Sequence, residues 1–111
     1  MSCTIKNNVI KITQGDTLVT KINITDADGE EYIPVAEDSI RFAVKKEYTD
    51  KTPLIVKAIP WDTLVLRLET EDTSLLKIGE YRYDIEITLS DGTVSTIIPW
   101  QKMIVTEQAA T

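Results

Sequence analysis

Apolar and polar side chains alternate along most of the chain. From Tyr81, the residues Tyr81, Tyr83, Ile85, Ile87 and Leu89 fall on one face of an extended segment. Arg82, Asp84, Glu86 and Thr88 fall on the other. Successive strand side chains point to opposite faces, so this period of two marks a strand with one face on the core. Ile40, Phe42 and Val44 alternate in the same way with Arg41, Ala43 and Lys45, and Leu64, Leu66 and Leu68 with Val65, Arg67 and Glu69. Leu18, Ile22 and Ile24 alternate with Val19, Lys21 and Asn23, and Ile10 and Ile12 flank Lys11. No window of useful length carries apolar residues at the spacings of three and four that a helix needs. The chain reads as all-β.

Turn chemistry falls between these runs. Gln14-Gly15-Asp16 separates the first two strands, and Asp26-Ala27-Asp28-Gly29 closes the second. Ser90-Asp91-Gly92-Thr93 is the strongest hairpin signal, with Gly92 suited to the positive φ of a primed turn. Pro34 and Pro53 sit at the ends of short segments, where a missing backbone donor does least harm. The spacing predicts about seven short strands in a chain of sandwich length. In the segment Glu71 to Tyr83, Asp72 or Thr73 can cap a short turn of helix, and Gly79 then releases the chain into a long strand. Tyr81 sits where a sandwich places the tyrosine whose hydroxyl bonds back across a corner between strands. Tyr83 stands in the place of the usual cysteine, so packing is expected to hold the sheets together.

Composition narrows the chemistry. The 111 residues predict one domain, 1–111, with a core over about 9–105 and a loose tail from Thr106 to Thr111. Twelve basic against eighteen acidic residues leave a net charge of −6, which repels a phosphate backbone and argues against nucleic acid as a partner. There is no histidine, the usual general base and commonest metal ligand. The single cysteine, Cys3, excludes an internal disulfide and thiolate zinc sites. Ser and Thr have no evident activator, and the glycines are scattered singly, so neither nucleophilic catalysis nor a phosphate-cradling loop is indicated. The opening Met1–Asn8 lacks a charged region followed by an apolar run, and no stretch is long and apolar enough to span a bilayer. The expectation is a non-enzymatic protein without cofactor or membrane partner, made in the cytoplasm.

Four stretches carry a family resemblance by their order and spacing. They are Gln14-Gly15-Asp16-Thr17-Leu18, Ile40-Arg41-Phe42-Ala43-Val44-Lys45-Lys46, Asp72-Thr73 with Gly79-Glu80-Tyr81-Arg82-Tyr83-Asp84-Ile85, and Asp91-Gly92-Thr93. Together they resemble the immunoglobulin-like N-terminal domain of upper baseplate proteins in tailed phages of Gram-positive bacteria, and short prophage-encoded relatives. The likeness spans roughly Ile10 to Val105. It implies an immunoglobulin-like antiparallel β-sandwich of about seven strands that docks one virion part onto another. Its partners are then other tail proteins, with docking through sheet edges and loops, self-association into a ring as one form, and the phage tail as its destination. Members of that family continue into further segments, so a linker role toward a receptor-binding tip is not carried over.

Candidate sites compete with plainer readings. Asp26, Asp28, Glu30 and Glu37 fit positions one, three, five and twelve of a calcium loop. However, Glu31 replaces the required glycine and Pro34 interrupts the loop, so a solvated acidic turn is the favoured reading. Asp84 and Glu86 are expected on a solvated outer face with Arg82, where nothing in the pattern desolvates them. Trp61 and Trp100 each follow a proline, which places each at a strand edge or loop. One is expected in the core and the other as an exposed interface anchor. An alternative function, a carbohydrate- or receptor-binding adhesion module, needs these two tryptophans near one loop cluster.

Overall fold

A computed structural model describes residues 3–6, 9–25, 29–47 and 49–107. They form eight strands and one short helix: β1 (Cys3–Lys6), β2 (Val9–Thr13), β3 (Leu18–Lys21), β4 (Ser39–Lys45), β5 (Ile55–Ile59), β6 (Val65–Leu68), α1 (Thr70–Ser74), β7 (Gly79–Thr88) and β8 (Val94–Thr106). The architecture is the expected all-β sandwich. Its two layers are unequal, with a six-stranded sheet in the order β1-β2-β8-β7-β4-β5 facing the pair β3-β6. The large sheet is mixed rather than purely antiparallel, because β2 and β8 run parallel, with Ile10 opposite Met103 and Thr13 opposite Thr106. The strand that the sequence pattern misses at the start is β1, which pairs with β2 and carries Cys3 opposite Ile12.

Alternation builds the core as predicted. Ile40, Phe42 and Val44 from β4, and Tyr81, Tyr83, Ile85 and Ile87 from β7, are buried against Leu18, Leu66 and Leu68 of the smaller sheet. The Tyr83 ring lies 5.5 Å from that of Phe42, and no disulfide is needed where two aromatic rings fill the strand centre. Two strands cannot cover six, so irregular elements close the inner face at both ends. At one end is α1, preceded by its N-cap Glu69. Asp72 is the third residue of this helix and not its cap: its carboxylate accepts the Glu69 N–H at 2.9 Å, the reciprocal half of a capping box. Thr73 is also inside the helix and fully buried, and its hydroxyl donates to the Asp16 carbonyl at 2.8 Å.

The same end is fastened several more times. Gln14 Nε2 donates to the Leu76 carbonyl at 2.8 Å, tying the β2–β3 turn to the chain leaving α1. Lys57 points inward from β5 and meets Asp72 at 2.9 Å. Burial pulls the Asp72 carboxyl up, but the Lys57 ammonium and the Glu69 N–H outweigh it and hold it below the ordinary carboxylate range. Gly79 has φ of +148°, a conformation that L side chains rarely adopt, and turns the chain into β7. Tyr81 then donates its hydroxyl to the Lys77 carbonyl at 2.7 Å, which is the tyrosine corner expected from the sequence.

Candidate functional site

The opposite end of the sandwich is built differently. It consists of the segments before β4 (29–38), the turn after β5, and the β7–β8 hairpin. That hairpin is not a primed turn. Gly92 N–H donates to Leu89 and Leu89 N–H to Thr93, both to carbonyls, and of the turn residues Gly92 alone has positive φ, at +89°. This is a three-residue loop with a type I turn and a glycine bulge, the form in which one left-handed residue suffices. Asp91 stabilises it by accepting the Thr93 N–H at 2.9 Å, and the Thr93 hydroxyl together with that N–H holds its carboxyl below the ordinary range.

Register along β8 follows from that turn. Paired residues in an antiparallel ladder alternate between hydrogen-bonded and non-hydrogen-bonded sites. Because Leu89 and Thr93 are bonded, Ile87 and Ser95 are the next bonded pair. Val94 and Thr96, opposite Thr88 and Glu86, therefore direct their N–H and C=O groups away from β7. On that outer side β2 pairs with Met103 to Thr106 and stops. Among the described residues, nothing pairs with the first half of β8, residues 94–101. These eight residues include no charged side chain. Register shifts opposite Tyr83/Ile85 and Ile85/Glu86 put two bulges in the same stretch, and Pro99, lacking a donor, falls at the first of them.

The other long edge is guarded. β5 is flanked by Pro53 and Pro60 and turns the charge of Lys57 inward, two devices that discourage strand addition. The open half of β8 has a recess beside it on the inner face. A groove of about 210 Å³ is walled by Ile24, Thr25, Tyr32, Ile87, Leu89, Ser95, Thr96 and Ile97. Tyr32 is held at its rim by a 2.6 Å hydrogen bond to Asp38, which also accepts the Val35 N–H at 3.0 Å. The carboxylate beside it raises the Tyr32 hydroxyl pKa.

Charge is also polarised toward this end. Residues 22–38, 58–66 and 87–101 contain eight acids (Asp26, Asp28, Glu30, Glu31, Glu37, Asp38, Asp62 and Asp91) and no Lys or Arg. The remaining ten acids face twelve cations, so the net charge of −6 (−8 plus +2) originates in these three windows, whose Asp26 and Asp28 lie outside the described residues. The sequence carried this signal as three cation-free windows, which only the fold shows to be neighbours.

The outer face of the large sheet differs from expectation. Asp84 is buried at 5% exposure, and desolvation raises its pKa despite the Arg41 guanidinium at 3.5 Å. Glu86 binds the same Arg41 through Nη2. The partner of both carboxylates is thus Arg41 on β4 and not Arg82, which stands between Lys45 and Lys102. A second recess of about 310 Å³ is lined by Arg41 and Glu86 with Ser39, Ile40, Val56, Ala58 and Thr88. Asp84 lines neither cavity, so its perturbed pKa comes from burial in the sheet and not from a substrate cleft.

Neither tryptophan is in the core. Trp61 is exposed in the turn after β5, whereas Trp100 lies within β8, half-buried, with Lys45 Nζ 4.8 Å from its ring centre. By sheet geometry the two are separated by three strand spacings, roughly 14 Å across the sheet, and more along it. They do not form one aromatic platform. Of the calcium-loop residues, Asp26 and Asp28 lie outside the described residues, and Glu30 and Glu37 are exposed. Among the described residues no three potential ligands converge, and no helix is long and apolar enough to cross a membrane. The tail residues 108–111 also lie outside the described residues. Comparison with family models and with curated proteins finds no match.

Proposed function

We propose that this chain is a non-enzymatic docking module, a component of a phage or prophage tail that joins other virion proteins through a sheet edge. The observation that carries the docking reading is the open half of β8, uncharged and, among the described residues, unpaired, in a chain whose β5 edge is guarded. Unpaired strand edges are costly to leave exposed, since they template pairing with any extended chain. Residues 94–96, which come before the bulges and Pro99 and carry no charge, are suited to a partner strand. The tail assignment rests on the four ordered motifs and on their positions: the tyrosine corner at Tyr81, the turn at Gly79 and the hairpin at Asp91-Gly92 occupy the expected places in a sandwich. The lack of histidine and of any converged catalytic group in the sequence supports a structural role.

Mass spectrometry of tail particles, purified from an induced host carrying the gene, tests the assignment. The chain is expected at a fixed stoichiometry with the tail proteins and in no excess of soluble material. Particles that lack it, with wild-type morphology after its gene is deleted, would refute the virion role.

A further inference from the structure

We infer that the open edge of β8 and its adjoining groove receive an extended, cationic segment of another polypeptide, which adds as a strand and places one apolar side chain in the groove. This deepens the docking reading and rests on it. Strand addition takes its affinity from main-chain hydrogen bonds and its specificity from pockets for alternate side chains. Both parts are present side by side. Val94 and Thr96 present outward backbone groups, and the groove opens directly beneath Ser95 and Ile97. Its 210 Å³ lies below the usual range for small-molecule sites, about 300 Å³ and upward, and suits a single large apolar side chain.

Charge selects the occupant. The described residues of the segments at this end hold six acids and no Lys or Arg, with Glu30, Glu31, Glu37 and Asp91 exposed. A segment with Lys or Arg on either side of its apolar residue would be drawn to it. A second copy of this chain fits poorly. Two-fold pairing of the same edge would bring two such acidic ends together. The side chains it could offer to each groove are the small Ser95 and Ile97, themselves part of the wall.

The test uses the whole protein and a defined probe, the acetylated and amidated peptide Lys-Val-Thr-Leu-Thr-Val-Lys, followed by amide NMR. Docking with the leucine in the groove sets the two threonines opposite Val94 and Thr96 as hydrogen-bonded pairs. Expected are shifts at Leu89, Val94, Ser95 and Thr96 that saturate and weaken with salt. N-methylation of both threonines should weaken binding about tenfold or more, since it removes two hydrogen bonds of roughly 1 kcal/mol each. N-methylation of the leucine, whose N–H points away, should leave the affinity within about twofold. Replacing both lysines by glutamate should abolish binding. No variant protein is required, so misfolding cannot mimic the result.

Shifts that avoid this edge, no binding, equal binding of the threonine-methylated peptide, or equal binding of the glutamate peptide would each overturn the inference. Dilution-dependent shifts at Val94 and Thr96 in the free protein would also overturn it and name a second copy as the occupant. An inert edge leaves the particle experiment unaffected, and absence from particles leaves peptide binding unaffected, so the two readings fail separately.

Discussion

Tyr81→Phe isolates the one hydrogen bond that defines the corner between α1 and β7. The substitution deletes a hydroxyl and leaves the ring, which is 5% exposed and has Lys46 Nζ 4.7 Å from its centre. What is lost is the 2.7 Å bond to the Lys77 carbonyl. Lys77 is exposed, so water can reach the freed carbonyl and the cost stays near the net value of a neutral hydrogen bond, about 1 kcal/mol. For 111 residues the unfolding entropy is about 0.23 kcal/mol/K, which converts that cost into a Tm lower by about 4 °C. Tyr81→Ala, by contrast, empties the ring's volume and should cost about 3–5 kcal/mol, or roughly 13–21 °C. Thermal unfolding followed by circular dichroism reads both. A Phe variant as stable as the parent would show that the corner bond contributes nothing. A Phe variant that loses as much as the Ala variant would show that the hydroxyl, not the ring, holds the corner.

Three further outcomes follow from named groups. Asp72→Ala removes the cap on the Glu69 N–H and the Lys57 pair together, and should cost about 1–2 kcal/mol in urea denaturation. Because the Asp72 pKa is lowered on folding, the stability it supplies is present above the unfolded carboxylate range and lost as pH falls through the folded value, so the variant and parent should converge in acid. Asp84→Asn should raise Tm at pH 7: folding raises the Asp84 pKa, so the ionised group is penalised there, and the gain should vanish below about pH 3, where Asp84 is protonated in both states. Burial pushes the Tyr83 hydroxyl pKa up to about 12, so its contribution is intact below pH 10 and lost as pH rises toward 12; Tyr83→Phe should flatten alkaline unfolding across that window.

Where one face of a strand meets the core, the sequence was enough. The alternation in β4 and β7 predicts the residues that face the core there, though not the burial of Ala43 on the other face, and Gly79 and Tyr81 mark the corner because each has a backbone or hydroxyl role that few other residues can fill. Asp84 shows the limit. It sits at an outward position of the alternation, but β7 is central in a six-stranded sheet, so neighbouring strands and the side chains above them remove water from a nominally outer face. The pattern reports the face a residue takes, not the width of the sheet around it. The proline before Trp100 marked an edge, and Trp100 does lie on the open half of β8 beside a bulge, but the pattern could not give its burial, which is partial. The groove was invisible for a different reason. It needs residues from positions 24 to 97 to meet, and no local period encodes that meeting.

The unequal layers tie stability and docking to opposite ends of the same molecule. At the α1 end, Gln14, Thr73 and the Lys57–Asp72 pair each bind elements distant in sequence, and all three are buried or partly so. At the hairpin end, Ile22 N–H donates to the distant Leu64 carbonyl at 2.8 Å, and the other fastening named is local: Asp38 to Tyr32 and Val35, the isolated bridge between Thr25 and Glu31, and Asp91 within its own turn. Contacts of short range hold their own loop in shape but add little to the global fold, so this end should open at a smaller free energy. A strand that adds to β8 must displace water and settle a side chain into the groove without unfolding the sandwich. The division of labour permits that, since the groove walls at Ile24, Thr25 and Tyr32 can adjust while the corner at Tyr81 keeps β7, and through it the register of β8, in place.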